Sequence, residues 1–114
     1  MRPLRSERLG ELIRKEVSDI IFKMKDPRIG FVTVTEVNVS KDMRYAKVFI
    51  SIMGEKEVKE HSFEAIKNAS GFIRTELAHR LNIRRTPEIT FVLDYSIERG
   101  VWLANYIEKV THES

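Results

Sequence analysis

Hydrophobic side chains recur along the chain at two different spacings, which together outline the predicted elements. A spacing of three and four residues, typical of helices, appears first between Leu9 and Met24. It returns between Val58 and Leu81, and again between Ile97 and Ile107. Alternation of apolar and polar residues, typical of half-buried strands, fills the segments between these helices. The alternating segments are Phe31 to Val39, Tyr45 to Ile52 and Ile89 to Leu93.

The first predicted strand changes phase part-way along. Its early valines, such as Val34, fall on one face, and its later ones, such as Val37, fall on the other. A bulge near Thr35-Glu36 would return them all to one side. The polar loop 40–44 is short enough to make the first two strands an antiparallel hairpin. The sequence therefore predicts an α+β domain, with helices on one face of a three-stranded sheet.

The second helical region contains a joint at Ala69, Ser70 and Gly71, where one apolar pattern ends and another begins. Glycine inside a helix costs about 1 kcal/mol relative to alanine, and serine is a good N-cap. We therefore predict two helices, with Ser70 capping the second. The alternative is one long helix with a tolerated glycine. We expect Gly71→Val to cost about 1–3 kcal/mol of stability and to weaken binding at the joint.

Local signals also predict where the helices begin and end. Ser6 is a candidate N-cap for the first helix, and Asp26-Pro27 is expected to end it, because proline disfavours helical geometry at the preceding residue. Asn82 is suited to a left-handed cap after the third helix. A last helix is expected to start near Ser96, and residues 111–114 are expected to fray.

Length and composition predict one domain spanning residues 1–114. The chain has no apolar run of about 20 residues, so we expect no membrane segment. The first residues lack the apolar core of a secretory signal, and the chain has no cysteine, which together favour the cytoplasm. It has no Gly-rich nucleotide loop, and we expect no cofactor or small-molecule substrate. We also expect no metal site, because its three histidines are dispersed. They are His61, His79 and His112.

Positive charge is concentrated in two places, although the net charge is only +3. Residues 1–30 hold 8 basic and 5 acidic side chains, and residues 72–87 hold 4 basic and 1 acidic. Guanidinium groups suit phosphate oxygens, and the positive end of a helix dipole at the joint suits an anion. Two alternatives remain: the arginines only solvate a helix, or the domain binds a protein partner through its sheet or through an apolar patch around Trp102 on the last helix. We see no catalytic cluster for a nuclease.

Six stretches occur together in an order and spacing that resemble one bacterial family. They are Arg5 to Leu9, Lys25 to Arg28, Val39 to Val48, Ala69 to Arg74, Arg84 to Phe91, and Asp94 to Gly100. This combination is similar to ribosome-binding factor A proteins. The resemblance covers nearly the whole chain.

The resemblance implies a type II KH-like domain in which an Ala-x-Gly kink, here Ala69 to Gly71, replaces the Gly-x-x-Gly loop of true KH domains. It implies a factor that binds the small (30S) ribosomal subunit. Such proteins assist late maturation of 16S rRNA, including its 5′ end, above all in the cold. Because the sequence shows no catalytic cluster, we expect no enzymatic activity, and we expect a monomer. The predicted RNA-binding residues are Lys67, Asn68, Ser70, Gly71, Arg74, Arg80, Arg84, Arg85, Arg5, Arg8, Lys41 and Arg44.

Overall fold

Three helices and three strands make up residues 5–95, the part of the chain that the structure, a computed structural model, describes. In chain order they are α1 (Arg5–Met24), β1 (Val32–Val39), β2 (Tyr45–Ile52), α2 (Lys56–Asn68), α3 (Ser70–Leu81) and β3 (Glu88–Leu93). The type and order of these elements confirm the predictions. The helix expected from Ser96 onward and the frayed end at 111–114 lie outside the described residues.

The strands form a sheet in the order β1-β2-β3. β1 and β2 are antiparallel, as predicted, with Val32 opposite Ile52 and Val39 opposite Ala46. The register shifts between Val34 and Glu36, which confirms the bulge. β3 runs parallel to β2, so the long connection through α2 and α3 returns the chain to the edge of the sheet.

All three helices contribute to a core on one face of this sheet. The alternation predicted for β2 is observed, because its even-numbered residues from Ala46 to Ile52 are all buried. α1 approaches β1 closely, because a Cβ on Gly10 would lie 3.0 Å from the carbonyl oxygen of Val37. The side chains that fill the core from the helices are Ile13, Val17, Ile20, Ile21, Ile66, Ile73 and Leu77. This is the type II KH-like α+β arrangement.

The helix ends agree with some of the local signals and not with others. α1 already includes Ser6, so the prediction that Ser6 is an N-cap is wrong. α1 ends at Met24, and Lys25 turns the chain with a φ of 50° before Asp26-Pro27. Asn82 has a φ of 49° and donates its N–H to the carbonyl of Ala78, which confirms the left-handed cap.

Candidate nucleic-acid interface

The joint between α2 and α3 is a single residue. Ala69 lies outside both helices, with φ −89° and ψ 3°, and its N–H is shared between the carbonyls of Ala65 and Ile66, both at 3.1 Å. Two helices are therefore present, and the long-helix alternative is wrong. Ser70 is the first residue of α3, and among the described residues no side chain caps this helix. The prediction that Ser70 is the cap is also wrong.

Gly71 faces open space. A Cβ at this position would have no heavy atom of the described residues within 4 Å, and its φ is not positive. Neither internal packing nor backbone geometry therefore requires glycine here. Beside it, Lys67 and Asn68 are exposed at the end of α2, and Ser70 is half-buried. The bare backbone at Gly71 is accessible from outside the protein.

The predicted basic residues at the two ends of the described chain meet in one groove, here called the arginine groove. It has a volume of about 450 Å³ and lies between the start of α1, the β1–β2 loop and the α3–β3 loop. Its lining residues are Arg5, Arg8, Leu9, Leu12, Met43, Ile83, Arg84 and Arg85. The fold thus brings together side chains about 80 positions apart in sequence, as the separation of Arg5 from Arg85 shows.

A second hollow links the arginine groove to α3. Its volume is about 480 Å³, and Arg85 lines both hollows. Its other lining residues are Arg74, Thr75, Ala78, His79 and Thr86. Arg74 lies one turn of helix beyond Gly71, so positive side chains extend from the joint to the arginine groove.

The β1–β2 loop is held by hydrogen bonds of its own. Ser40 donates its hydroxyl to the carboxylate of Asp42 at 2.6 Å, and the N–H of Arg44 donates to the same oxygen at 3.1 Å. These bonds lower the pKa of Asp42, the hydroxyl contributing most. Lys41 and Arg44 are both exposed on either side of this anchored carboxylate, and Met43, between them, reaches the arginine groove.

Arg80 does not extend into solvent, contrary to the prediction. Its Nη1 donates to Asp19 Oδ2 at 2.6 Å and to Glu16 Oε2 at 3.1 Å, and 25% of its side chain is exposed. These carboxylates raise the pKa of Arg80, Asp19 first. The pKa of Asp19 is lowered by Arg80 and, less strongly, by Lys23. Arg80 therefore ties α3 to α1, and its guanidinium is already bound within the protein.

The apolar lining of the arginine groove was not anticipated. Leu12 belongs to the apolar face of the first helix, yet 43% of it is exposed, and Ile83, in the basic loop, is 40% exposed. The sequence feature that points to this lining is Leu12. Leu9, Ile13 and Val17 already form an apolar stripe along the first helix, and Leu12 makes that stripe wider. Among residues 5–95, no group of His, Asp or Glu side chains could hold a metal, and no helix is long and apolar enough to cross a membrane.

Comparison with known proteins identifies the family. The family profile described as ribosome-binding factor A matches residues 5–107. The chain belongs to the ribosome-binding factor A family. A member from Acetivibrio thermocellus is 49% identical over 112 residues, covering 96% of this chain and 91% of the relative. The resemblance seen in the sequence motifs is thereby confirmed.

Solved structures of the family share this fold. The crystal structure of ribosome-binding factor A from Thermus thermophilus superposes with a TM-score of 0.69 at 26% identity, covering 77% of this chain and 94% of that one. A homology model of the Thermus thermophilus ribosome-binding factor A, fitted into the cryo-EM map of a 30S complex, gives a TM-score of 0.67 at 26% identity. That match covers 79% of this chain and 96% of the other.

Proposed function

We propose that this protein is a ribosome assembly factor, a single domain that binds the small (30S) subunit as a monomer in the cytoplasm. There it assists late maturation of 16S rRNA, including its 5′ end, above all in the cold. Membership of the family supports this proposal, as does the 30S complex of the Thermus thermophilus relative. The observation that carries it is the convergence of Arg5, Arg8, Arg84 and Arg85 on one groove.

The interface is suited to the phosphate backbone of RNA. The four arginines of the groove and Arg74 supply forked donors for phosphates, and exposed Arg44, Lys41 and Lys67 add further positive charge. Such contacts recognise phosphates without reading sequence. Gly71 lets a phosphate approach the start of α3, where the helix dipole is positive. With four to six phosphates neutralised, log affinity should fall with log salt at a slope of about −3 to −5.

Help of this kind comes from binding alone. A ligand shifts a conformational equilibrium only by its difference in affinity for the two states. The protein would therefore favour one arrangement of nearly mature RNA over another. Its help matters more in the cold, because misfolded RNA escapes more slowly there. Immature and mature subunits should bind it with measurably different affinity, and equal affinities would contradict this mechanism.

Co-sedimentation with separated ribosomal subunits across a salt series tests the proposal. We expect the protein to pellet with the small subunit and not the large one, with the salt slope given above. An affinity that does not change with salt concentration would instead favour the protein-interaction alternative. Pure protein should neither cleave RNA nor hydrolyse nucleotide, and cleavage of RNA by it would refute the non-enzymatic mechanism.

A further inference from the structure

The arginine groove has an apolar floor as well as a basic rim. Its lining consists of four arginines, here called the rim, and four apolar side chains, here called the floor: Leu9, Leu12, Met43 and Ile83. Phosphate binding explains the rim but gives no reason for the floor. We propose that the groove holds an unpaired nucleotide of RNA, with its base against the floor and its phosphates at the rim. This proposal rests on the proposed function and extends it.

The size and exposure of the groove suit such a ligand. About 450 Å³ lies within the range of small-molecule sites, which is roughly 300 to 1,000 Å³. Leu12 is 43% exposed and Ile83 is 40% exposed, so both present apolar surface to solvent at the floor. The face of a nucleobase would cover that surface and remove it from water.

An unpaired nucleotide fits better than a duplex. Bases in a duplex are stacked, so an RNA helix presents mainly phosphates and 2′-hydroxyls to a protein. A duplex could meet the arginines but would leave the floor without an apolar partner. A base splayed out of a single strand supplies both, because its own phosphates lie beside it.

Both loops that border the groove are turned by residues in the left-handed region. Met43 has a φ of 60°, which is uncommon for a bulky side chain, and Asn82 has a φ of 49° just before Ile83. The Met43 N–H donates to the carbonyl of Ser40 at 2.8 Å, which holds the turn. At Met43 this geometry is strained, and such strain clusters at functional sites. At Asn82 it is the helix cap described above. The two turns place Met43 and Ile83 in the floor before any ligand arrives.

The charge around the groove also favours an anionic ligand. Glu11 pairs with Arg14 at 3.1 Å, and Asp42 accepts hydrogen bonds within its own loop. Glu7 adds one carboxylate in the first turn of α1, against four arginines at the rim. An acidic peptide would satisfy the rim as well, but the second hollow, lined by Arg85 and Arg74, extends the positive charge along α3 and favours a polyanion such as RNA.

This site is separate from the joint. Gly71 and Ile83 lie near opposite ends of α3, a helix of 12 residues, or about 18 Å at 1.5 Å per residue. The protein would therefore hold RNA at two places, with phosphates alone at the joint and a nucleotide in the groove.

The test compares floor and rim variants on three RNAs by fluorescence anisotropy. The probes are a single strand of about 12 nucleotides, the same strand with abasic sites, and its duplex. We expect Leu12→Ser with Ile83→Ser to lower affinity for the intact single strand about five-fold, with an unchanged salt slope and little effect on the duplex. Arg84→Ala with Arg85→Ala should flatten the slope by about 2. Phe22→Ser, at a side chain 78% exposed near the far end of α1, is the matched control.

Abasic RNA on the unaltered protein gives an answer that does not depend on any variant folding. It should bind about five-fold more weakly than the intact strand. Equal affinity for the abasic and intact strands would overturn the proposal. So would a floor variant that loses affinity for the single strand and for the duplex by the same factor. If the subunit still binds in either case, the proposed function survives. Tighter binding of an acidic peptide than of RNA would also overturn it, and failure to bind subunits at all would refute the proposed function itself.

Discussion

Replacing Gly71 with alanine separates the fold of this protein from its binding. Gly71 is the second residue of α3, it is exposed, and a Cβ there would have no described heavy atom within 4 Å. Alanine is better than glycine inside a helix by about 1 kcal/mol, and the benefit is smaller in the first turn. Gly71→Ala should therefore leave the free energy of unfolding unchanged or raise it by up to about 1 kcal/mol. The expectation that a larger residue here costs 1–3 kcal/mol lacks a steric basis in the structure.

Gly71→Ala should weaken binding to the small subunit, although it does not lower stability. If a phosphate approaches the backbone at Gly71, a methyl group would hold it away and weaken one charge-assisted hydrogen bond. A loss of about 1.5 kcal/mol is a roughly ten-fold fall in affinity. Urea unfolding followed by circular dichroism measures the first effect, and co-sedimentation with small subunits measures the second.

Gly54→Ala is the matched control. Gly54 has a φ of 136°, and a Cβ there would lie 2.9 Å from Cγ1 of Val58. This substitution should cost about 1–3 kcal/mol of stability while the folded fraction binds normally. If Gly71→Ala is as stable as the parent and binds subunits equally well, the joint does not contact RNA and the reasoning fails.

Three further substitutions test other contacts. Arg80→Ala should unfold at a lower urea concentration, because Arg80 binds α1 through Asp19. The salt slope of subunit binding should not change, and a slope flatter by about 1 would mean that Arg80 contacts a phosphate after all. The pKa of Asp26 is lowered to about 2, chiefly by the Arg28 side chain, so its stabilising effect is present above about pH 4 and is lost as pH falls toward 2. Asp26→Asn should remove that part of the acid dependence in circular dichroism melts, and an unchanged profile would contradict it. Ser62→Ala should cost about 1–3 kcal/mol in urea, because buried Ser62 accepts the Gly30 N–H at 3.1 Å; a cost near zero would mean the bond is dispensable.

Local patterns predicted the elements well, because the physics that sets them is local. The alternation from Ala46 to Ile52 leaves one apolar face, and that face must be buried. The phase change at Thr35 keeps its valines on one face only if the strand contains a bulge, and the bulge is observed. Asn82 was predictable for the same reason, since few residues tolerate its left-handed geometry.

The errors arose where neighbours distant in sequence decide the outcome. Arg80 resembles any basic residue on a helix, and its partners Glu16 and Asp19 lie more than 60 positions away. Leu12 matches a core pattern, and only the paths of two loops decide that it borders a groove. Ser70 is a competent cap by residue type, but Ala69 occupies that position because a single residue separates the helices. The predicted RNA-binding residues therefore include the basic side chains that line the arginine groove and omit the apolar ones beside them.

The crossover to β3 also ties ligand binding to the folding of residues 5–95 as a unit. Tyr45 pairs with Glu88, so the sheet is completed by a strand that follows both intervening helices in the chain. The arginine groove depends on the same closure, because its walls come from the first helix and from the loop before the last strand. A chain without this closure lacks the groove, so a ligand held there would bind the native state in preference to the unfolded one. Each ten-fold rise in free ligand above its dissociation constant should then add about 1.4 kcal/mol to the stability of the entire described fold.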